Sequence, residues 1–288
     1  MKGKIVSTCG CVYRIYSNGV CYDVFAKGIF KFRKEHLYVG DNVDFDEDHF
    51  VIKEILERKN ELIRPKCANV DLVLVTMSVV EPELSEELVY KFLTYVLMHS
   101  IEAKVVFTKV DALKDHSQIE RIKSDLAKIG IETLFVSKDD ESSKEKVRNL
   151  VKGKVVLFMG QTGVGKSSLI NAIDPGFNRK IGEYSSALGR GKHQTKEVIL
   201  LPYENSFLAD TPGFSSLDLC IYKEDLAQYF PGYEKYYTQC YFSNCLHQNE
   251  KQCKIKEEIE KGNLSEEAHE IYKKLLSELE YRQERYKS

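Results

Sequence analysis

Apolar residues in this chain follow one spacing at its start, another through its middle and a third at its end. From residue 1 to about 65 they alternate with polar residues in short segments, as in Gly19-Val20-Cys21-Tyr22-Asp23-Val24-Phe25-Ala26, with glycine at the turns. That period of two predicts a small antiparallel barrel. From 66 to about 220 the chain carries short, mainly apolar segments of strand length: Val70–Thr76, Ala103–Phe107, Thr133–Phe135, Val155–Met159 and Ser206–Ala209. Helical spacing lies between them, with Leu88, Phe92, Tyr95 and Val96 inside Glu86–His99 and a helix opening over Ser167–Ile173. The alternation predicts a mainly parallel sheet covered by helices on both faces, with ligands at the C-terminal ends of its strands. From Ser265 to Lys287 a charged helix places Ala268, Ile271, Leu275, Leu276 and Leu279 on one face, a solvated helix packing on its own domain. The expected organisation is therefore multi-domain: a barrel at 1–65, an α/β domain at 66–220 and a helical module at 221–288, in keeping with a length of 288 residues.

Composition changes this picture little. The balance of 42 Lys+Arg against 44 Asp+Glu gives a net charge of -2 and no global footprint for nucleic acid. Local charge is another matter. Lys2, Lys4, Arg14, Lys27, Lys31, Arg33 and Lys34 face only Asp23 and Glu35 in the first 36 residues, and Asp41, Asp44, Asp46, Glu47 and Asp48 follow, so the first domain is polarised. Tyr13, Tyr16, Tyr22, Phe30 and Phe32 interleave with the basic residues; about half of them are expected in the barrel core. No repeat, signal-peptide core or bilayer-length apolar run is visible, which predicts a cytoplasmic protein with no membrane association.

The chemistry begins at Gly160-Gln161-Thr162-Gly163-Val164-Gly165-Lys166-Ser167, a full phosphate-binding loop between a strand and a helix. Its glycines let successive N–H groups close on a polyphosphate at a helix N-terminus; Lys166 adds charge toward the β- and γ-phosphates, and Ser167, with Ser168 beside it, offers a hydroxyl to Mg²⁺. Thr108-Lys109-Val110-Asp111 lies before this loop, just past a strand. A carboxylate at Asp111 accepts from both N1–H and the 2-amino group of guanine, a donor pair adenine lacks, so it selects GTP over ATP. Ser137, after the strand at Thr133–Phe135, is a second base contact near O6. Lys223-Glu224-Asp225 is another K-x-D, but in a region without a clean strand, and it ranks below.

Asp210-Thr211-Pro212-Gly213 closes the strand Ser206–Ala209. An Asp here holds the Mg²⁺ shell, and the Gly213 N–H meets the γ-phosphate. Between the two motifs, residues 182–196 are rich in Gly, Ser and charge and read as a switch loop, in which Thr195 supplies the second Mg²⁺ hydroxyl. Phe214 stands where Ras-like enzymes carry the glutamine that orients water, and a phenyl ring cannot do that. His193 is then the candidate for positioning water or accepting its proton, against the alternative of a plain surface histidine. The catalytic set is Lys166, Thr195 and His193. Further on, Cys240-x4-Cys245-x-His247-x5-Cys253 puts three thiols and an imidazole at the spacing of a closed tetrahedral Zn²⁺ site, structural because no ligand position is spare. The other five cysteines, Cys9, Cys11, Cys21, Cys67 and Cys220, form no paired framework for disulfides.

The order base-reader, phosphate loop, switch and D-x-P-G resembles the circularly permuted GTPases, and specifically the ribosome small-subunit-dependent GTPase (RsgA) family. The likeness covers nearly the whole chain, including Lys31-Phe32-Arg33, Val39-Gly40-Asp41-Asn42-Val43 and the Cys/His cluster. Departures are Thr108 for the usual asparagine, and Gln194 and Lys196 flanking Thr195 where threonines are usual. The resemblance implies an N-terminal OB-fold that meets RNA, a permuted P-loop GTPase domain, a monomer bound to the small ribosomal subunit and its rRNA, and turnover of GTP to GDP that is slow alone and faster on the subunit. In this chain order D-x-P-G leads directly into the zinc module, a short covalent lever from γ-phosphate to a binding domain. Two other readings compete: an ATP-using P-loop enzyme, disfavoured by Asp111 and the switch-like loop, and a zinc-stabilised RNA-binding protein with a vestigial nucleotide site, disfavoured by the complete set Lys166, Ser167, Thr195 and Asp210.

Overall fold

The computed structural model describes residues 1–33, 35–177, 179, 198–211 and 217–287, with the side chains of 29, 31, 210 and 282–287 outside the description. Strands β1 (Lys2–Cys9), β2 (Val12–Ser17), β3 (Val20–Ala26), β4 (Asn42–Asp46) and β5 (Val51–Ile55) close into a barrel in the order β1-β2-β3-β5-β4, and α1 (Gly28–Phe32) bridges β3 and β4. A five-stranded closed barrel in this order is an OB-fold. Alternate residues point inward, and Ile5, Ile15, Val24, Phe30, Val43, Phe45 and Ile52 fill the interior. Tyr13 and Tyr22 pack against that core and Tyr16 against Phe207, so of the five aromatic residues marked in this segment only Phe32 stands fully exposed, at 88%. Asp41 is likewise an internal strut: it is fully buried and accepts from Arg58 Nε at 2.6 Å and Nη2 at 2.8 Å.

A short hairpin, β6 (Glu61–Leu62) with β7 (Cys67–Ala68), links the barrel to the central sheet. Gly40 seats the barrel on this hairpin: at φ +95° it approaches Ala68 so closely that a Cβ would lie 2.0 Å from the Ala68 carbonyl oxygen.

The sheet runs β10 (Thr133–Val136), β9 (Glu102–Thr108), β8 (Leu72–Ser78), β11 (Val155–Met159), β13 (Ser206–Asp210), β12 (Leu201–Tyr203); only β12 is antiparallel to its neighbour. Both faces are buried, which is why the strands read as continuous apolar runs. Leu72, Leu74, Val156, Phe158 and Leu208 share one core with α4 (Glu141–Val151) and α5 (Lys166–Ile173). Val73, Val75, Leu157, Met159 and Ala209 share the other with α2 (Glu86–Met98) and α3 (Ser117–Lys128). That second core also takes in the C-terminal residues and Val6 of the barrel, so both outer parts of the molecule rest on one face of the sheet.

The chain moves outward from β8 to β10, then returns to β11 on the other side of β8. The crevice at the C-terminal ends of β8 and β11 is thus the topological switch point where such sheets bind ligands. Beyond the sheet come α6 (Leu226–Tyr229), α7 (Lys254–Glu260) and α8 (Glu266–Lys287). Ala268, Ile271, Leu275, Leu276 and Leu279 of α8 are all buried, and Tyr272 joins them. Among the described residues no helix is long and apolar enough to cross a membrane.

Candidate nucleotide site and metal centre

The glycine loop is forced by close approach. After β11, Gly160 passes so near β8 that a Cβ would lie 2.1 Å from the Thr76 carbonyl oxygen, and Gly163 and Gly165 adopt φ of +83° and +94°. Side chains at these positions would clash or strain the turn. Val164 is buried and plugs the loop into the core, while Thr162 and Gly163 face solvent. The helix α5 starts at Lys166 behind Gly165, so its N-terminal turn, Lys166 to Ser168, opens directly out of the loop. Lys166, 6% exposed, arches back across the loop and donates to the carbonyls of Gly160 at 3.0 Å and Gln161 at 2.8 Å. Gln161 Oε1 is buried with no hydrogen-bond partner among the described residues. Left-handed glycines, a helix N-terminus and a lysine arched over the loop suit a polyphosphate.

The base-reading segment is bonded to this loop. Thr108, buried at the end of β9, donates from Oγ1 to the Val164 carbonyl at 2.5 Å and lies 3.2 Å from that of Met77. Lys109 turns into the left-handed region at φ +61° and donates to the Gly163 carbonyl at 3.0 Å and to that of Glu81. Ser78 steadies the same edge, its Oγ accepting from the N–H groups of Val80 at 3.3 Å and Glu81 at 3.0 Å. Val110 and Asp111 then form a 3-10 turn with Asp111 exposed. Because Val136 pairs with Thr108, Ser137 and Lys109 leave neighbouring strands at the same level. Residues far apart in sequence thus meet along one edge: Thr108–Asp111, Ser137 and 160–168. The Lys223–Asp225 segment does not join them; it forms a 3-10 turn near α8, where Lys223 pairs with Glu280 at 2.9 Å.

The backbone of Asp210 pairs with Phe158, and Thr211 Oγ1 donates to the Phe158 carbonyl at 2.8 Å, so this strand also ends beside the loop. His193, Thr195 and Gly213, together with the Asp210 side chain, lie outside the described residues.

In the C-terminal part, the ligand atoms of Cys240, Cys245, His247 and Cys253 all lie within 4.8 Å of one another. His247 Nδ1 is 3.4 Å from the sulfurs of both Cys240 and Cys253, which are 4.0 Å apart. A tetrahedral zinc with bonds of about 2.3 Å to sulfur and about 2.0 Å to nitrogen has edges of roughly 3.8 Å (S···S) and 3.5 Å (S···N), so the donor set fits. Burial pushes the Cys245 thiol up to about 12 and the His247 imidazole down to about 4. A clustered set of this kind, with His247 and Cys253 buried and Cys240 and Cys245 half-buried, gives up its thiol protons to a cation. The backbone N–H of Lys254 donates to Cys240 Sγ at 3.3 Å, and His247 takes φ +60° to turn its ring inward. Tyr233, Tyr272 and His269 wall the cluster, with Tyr233 Oη and His269 Nδ1 2.7 Å apart.

Residues 55–220 match the family model described as RsgA GTPase. The chain is 38% identical over 291 residues to the small ribosomal subunit biogenesis GTPase RsgA of Staphylococcus carnosus, covering 99% of each chain. The chain belongs to the RsgA GTPase family. Solved structures agree with the RsgA assignment: the circularly permuted GTPase YloQ superposes with a TM-score of 0.81 at 31% identity, over 98% of this chain and 95% of that one. YjeQ from Thermotoga maritima gives 0.83 at 30% identity, over 96% and 98%. Within this RsgA-family chain, sequence reasoning missed the bond from Lys109 to the Gly163 carbonyl, Thr211 Oγ1 on Phe158, and the tyrosine wall of the Cys/His cluster. A hydroxyl immediately after the strand-ending Asp210 was the available signal for Thr211; nothing in the spacing announced the other two.

Proposed function

We propose that this RsgA-family chain is a GTPase acting in biogenesis of the small ribosomal subunit: it binds the subunit in the GTP state, hydrolyses GTP to GDP and phosphate under stimulation by the subunit, and then leaves. The observation that carries the nucleotide reading is the bonding of Thr108 and Lys109 to the phosphate loop, which holds a guanine-reading carboxylate and a phosphate cradle in one rigid edge. Thr108, Lys109, Val110, Asp111 and Ser137 meet the base; Gly160 to Ser168 hold the phosphates; Gly213 senses the last of them. Ser167, Thr195 and Asp210 are the residues proposed to hold Mg²⁺, which when bound neutralises charge on the β- and γ-phosphates. Lys166 stabilises the transferring group, Thr195 closes over it, and His193 orients water or takes its proton.

Cys240, Cys245, His247 and Cys253 hold one Zn²⁺, whose role is structural because four protein ligands leave no open position. Division into 1–65, 66–220 and 221–288 gives a barrel and a zinc module, both of which contact rRNA, around the nucleotide domain. The chain works as a cytoplasmic monomer. Turnover of GTP and of ATP, each with and without purified small subunits, tests the reading: GTP turnover should rise strongly with subunits and ATP should neither bind nor turn over.

A further inference from the structure

Val6 belongs to the barrel by its backbone and to the sheet by its side chain. The β1–β2 register passes from Ile5↔Ile15 to Ser7↔Arg14, leaving Val6 as the extra residue of a bulge. A bulge re-aims a side chain. Ile5 fills the barrel interior, whereas Val6, fully buried, joins the core that contains Val198 and Leu200. The Val6 carbonyl accepts from the Leu200 N–H at 2.8 Å, directly ahead of β12.

A second grip lies beside it. Tyr16 of β2 meets Phe207 of β13 edge to face, with centroids 5.5 Å apart. Lys4 Nζ, fixed by the Gly40 carbonyl at 3.1 Å and Asn42 Oδ1 at 2.9 Å, sits 5.9 Å from the same ring. The barrel therefore holds both strands of the edge pair that ends at Asp210. Phe207 is three residues from that end, about 10 Å along an extended strand, and an extended strand paired on both sides moves as a unit. Ser7, next to the bulge, is fully buried and its Oγ has no hydrogen-bond partner among the described residues. An unsatisfied hydroxyl at a joint is a local cost that a shifted packing can relieve, and packed seams shift between discrete arrangements rather than deforming smoothly.

We propose that Val6, Tyr16 and Phe207 form a coupling joint, positioning residues through which occupancy of the barrel and the nucleotide state at the end of β13 bias one another. The proposal rests on the reading of that strand end as the γ-phosphate side of a GTPase. It requires reciprocity: a partner on the barrel shifts the nucleotide end, and nucleotide shifts the barrel by the same factor.

The test uses the full chain. In hydrogen exchange with GDP and with a non-hydrolysable GTP analogue, the wild type should show a nucleotide-dependent change in protection within residues 1–17, and Phe207→Leu should lose it. In parallel, the ratio of small-subunit affinities in the two nucleotide states should fall by about fivefold or more in Tyr16→Leu and in Phe207→Leu, with nucleotide affinity and unstimulated turnover unchanged. The double variant should fall no further than either single one. Tyr16→Phe, which keeps the ring, should behave as wild type; if it loses coupling as fully as Tyr16→Leu, the ring contact is not the transmitter and the proposal fails. Equal exchange differences and equal affinity ratios in wild type and variants would overturn it. Failure of the wild type to bind GTP would instead sink the functional reading, and the exchange comparison remains informative if subunits do not bind.

Discussion

Thr108 shows how one side chain ties two motifs together. Its hydroxyl has one hydrogen and two carbonyls in reach, and the shorter contact, to Val164 at 2.5 Å against 3.2 Å to Met77, takes it. A hydroxyl thus fastens the base-reading turn to the phosphate loop at the position where asparagine is usual. Thr108→Val keeps shape and burial but leaves the Val164 carbonyl unpaired, an expected cost of about 1–3 kcal/mol. If half or more of that is expressed in the bound state, GDP affinity measured by calorimetric titration should drop roughly tenfold. The exposed carboxylate of Asp111 carries a different prediction. Asp111→Asn should weaken GTP binding and favour a xanthine nucleotide, whose altered edge complements an amide; wild type that binds ATP as well as GTP in the same titration would remove Asp111 as the selector.

At the level of elements, most of the sheet was readable from the sequence because its strands are buried on both faces. Val155–Met159 matches β11 end to end, and the periodic residues of the last helix are the ones buried. Boundaries moved where side chains compete with the ladder: Val70 and Asp71 precede β8, since the Asp71 carboxylate accepts from the Val155 N–H at 2.7 Å. The Val6 bulge was not readable, because a single extra residue changes which core a valine enters without changing the alternation around it. In the candidate site, the glycine loop, Lys166 and the Cys/His cluster were legible as types at fixed spacing, but the bonds of Lys109 and Thr108 to that loop depend on strands brought together only by the topology.

Two predictions belong to the C-terminal elements. One Zn²⁺ per chain should be found by metal analysis, and chelation should expose residues after 220 to protease before the nucleotide domain, because metal binding and folding are coupled in a closed site. Metal-free protein with unchanged resistance there would contradict this. The turn between α7 and α8 is held by Glu258, which accepts from Asn263 Nδ2 at 2.7 Å and pairs with Lys254 at 2.9 Å and Lys261 at 3.1 Å. The Asn263 bond, then the two lysines, hold its carboxyl down to about 2. A depressed folded-state value means this stabilisation is complete above the unfolded value, about 4.3, and is lost as pH falls toward 2. Glu258→Gln should therefore lower Tm at pH 7, and the difference from wild type should shrink as pH is taken down through 4.

On the scale of the whole molecule, the barrel and the C-terminal module rest on the same face of the central sheet, and their shared core runs from Val6 to Leu279. A partner that touches either module can therefore bear on the sheet edge that carries the phosphate loop. With Phe214 in the position of a water-orienting glutamine, the free enzyme should be slow. His193→Ala should remove most of the stimulated rate while nucleotide affinity stays nearly intact, the signature of an interaction made only in the transition state; Lys166→Ala should instead damage binding. The most direct measurement is the turnover of saturating GTP by the wild-type chain, with and without purified small ribosomal subunits. A strong rise on adding subunits is the predicted result, and equal rates in their presence and absence would contradict the account.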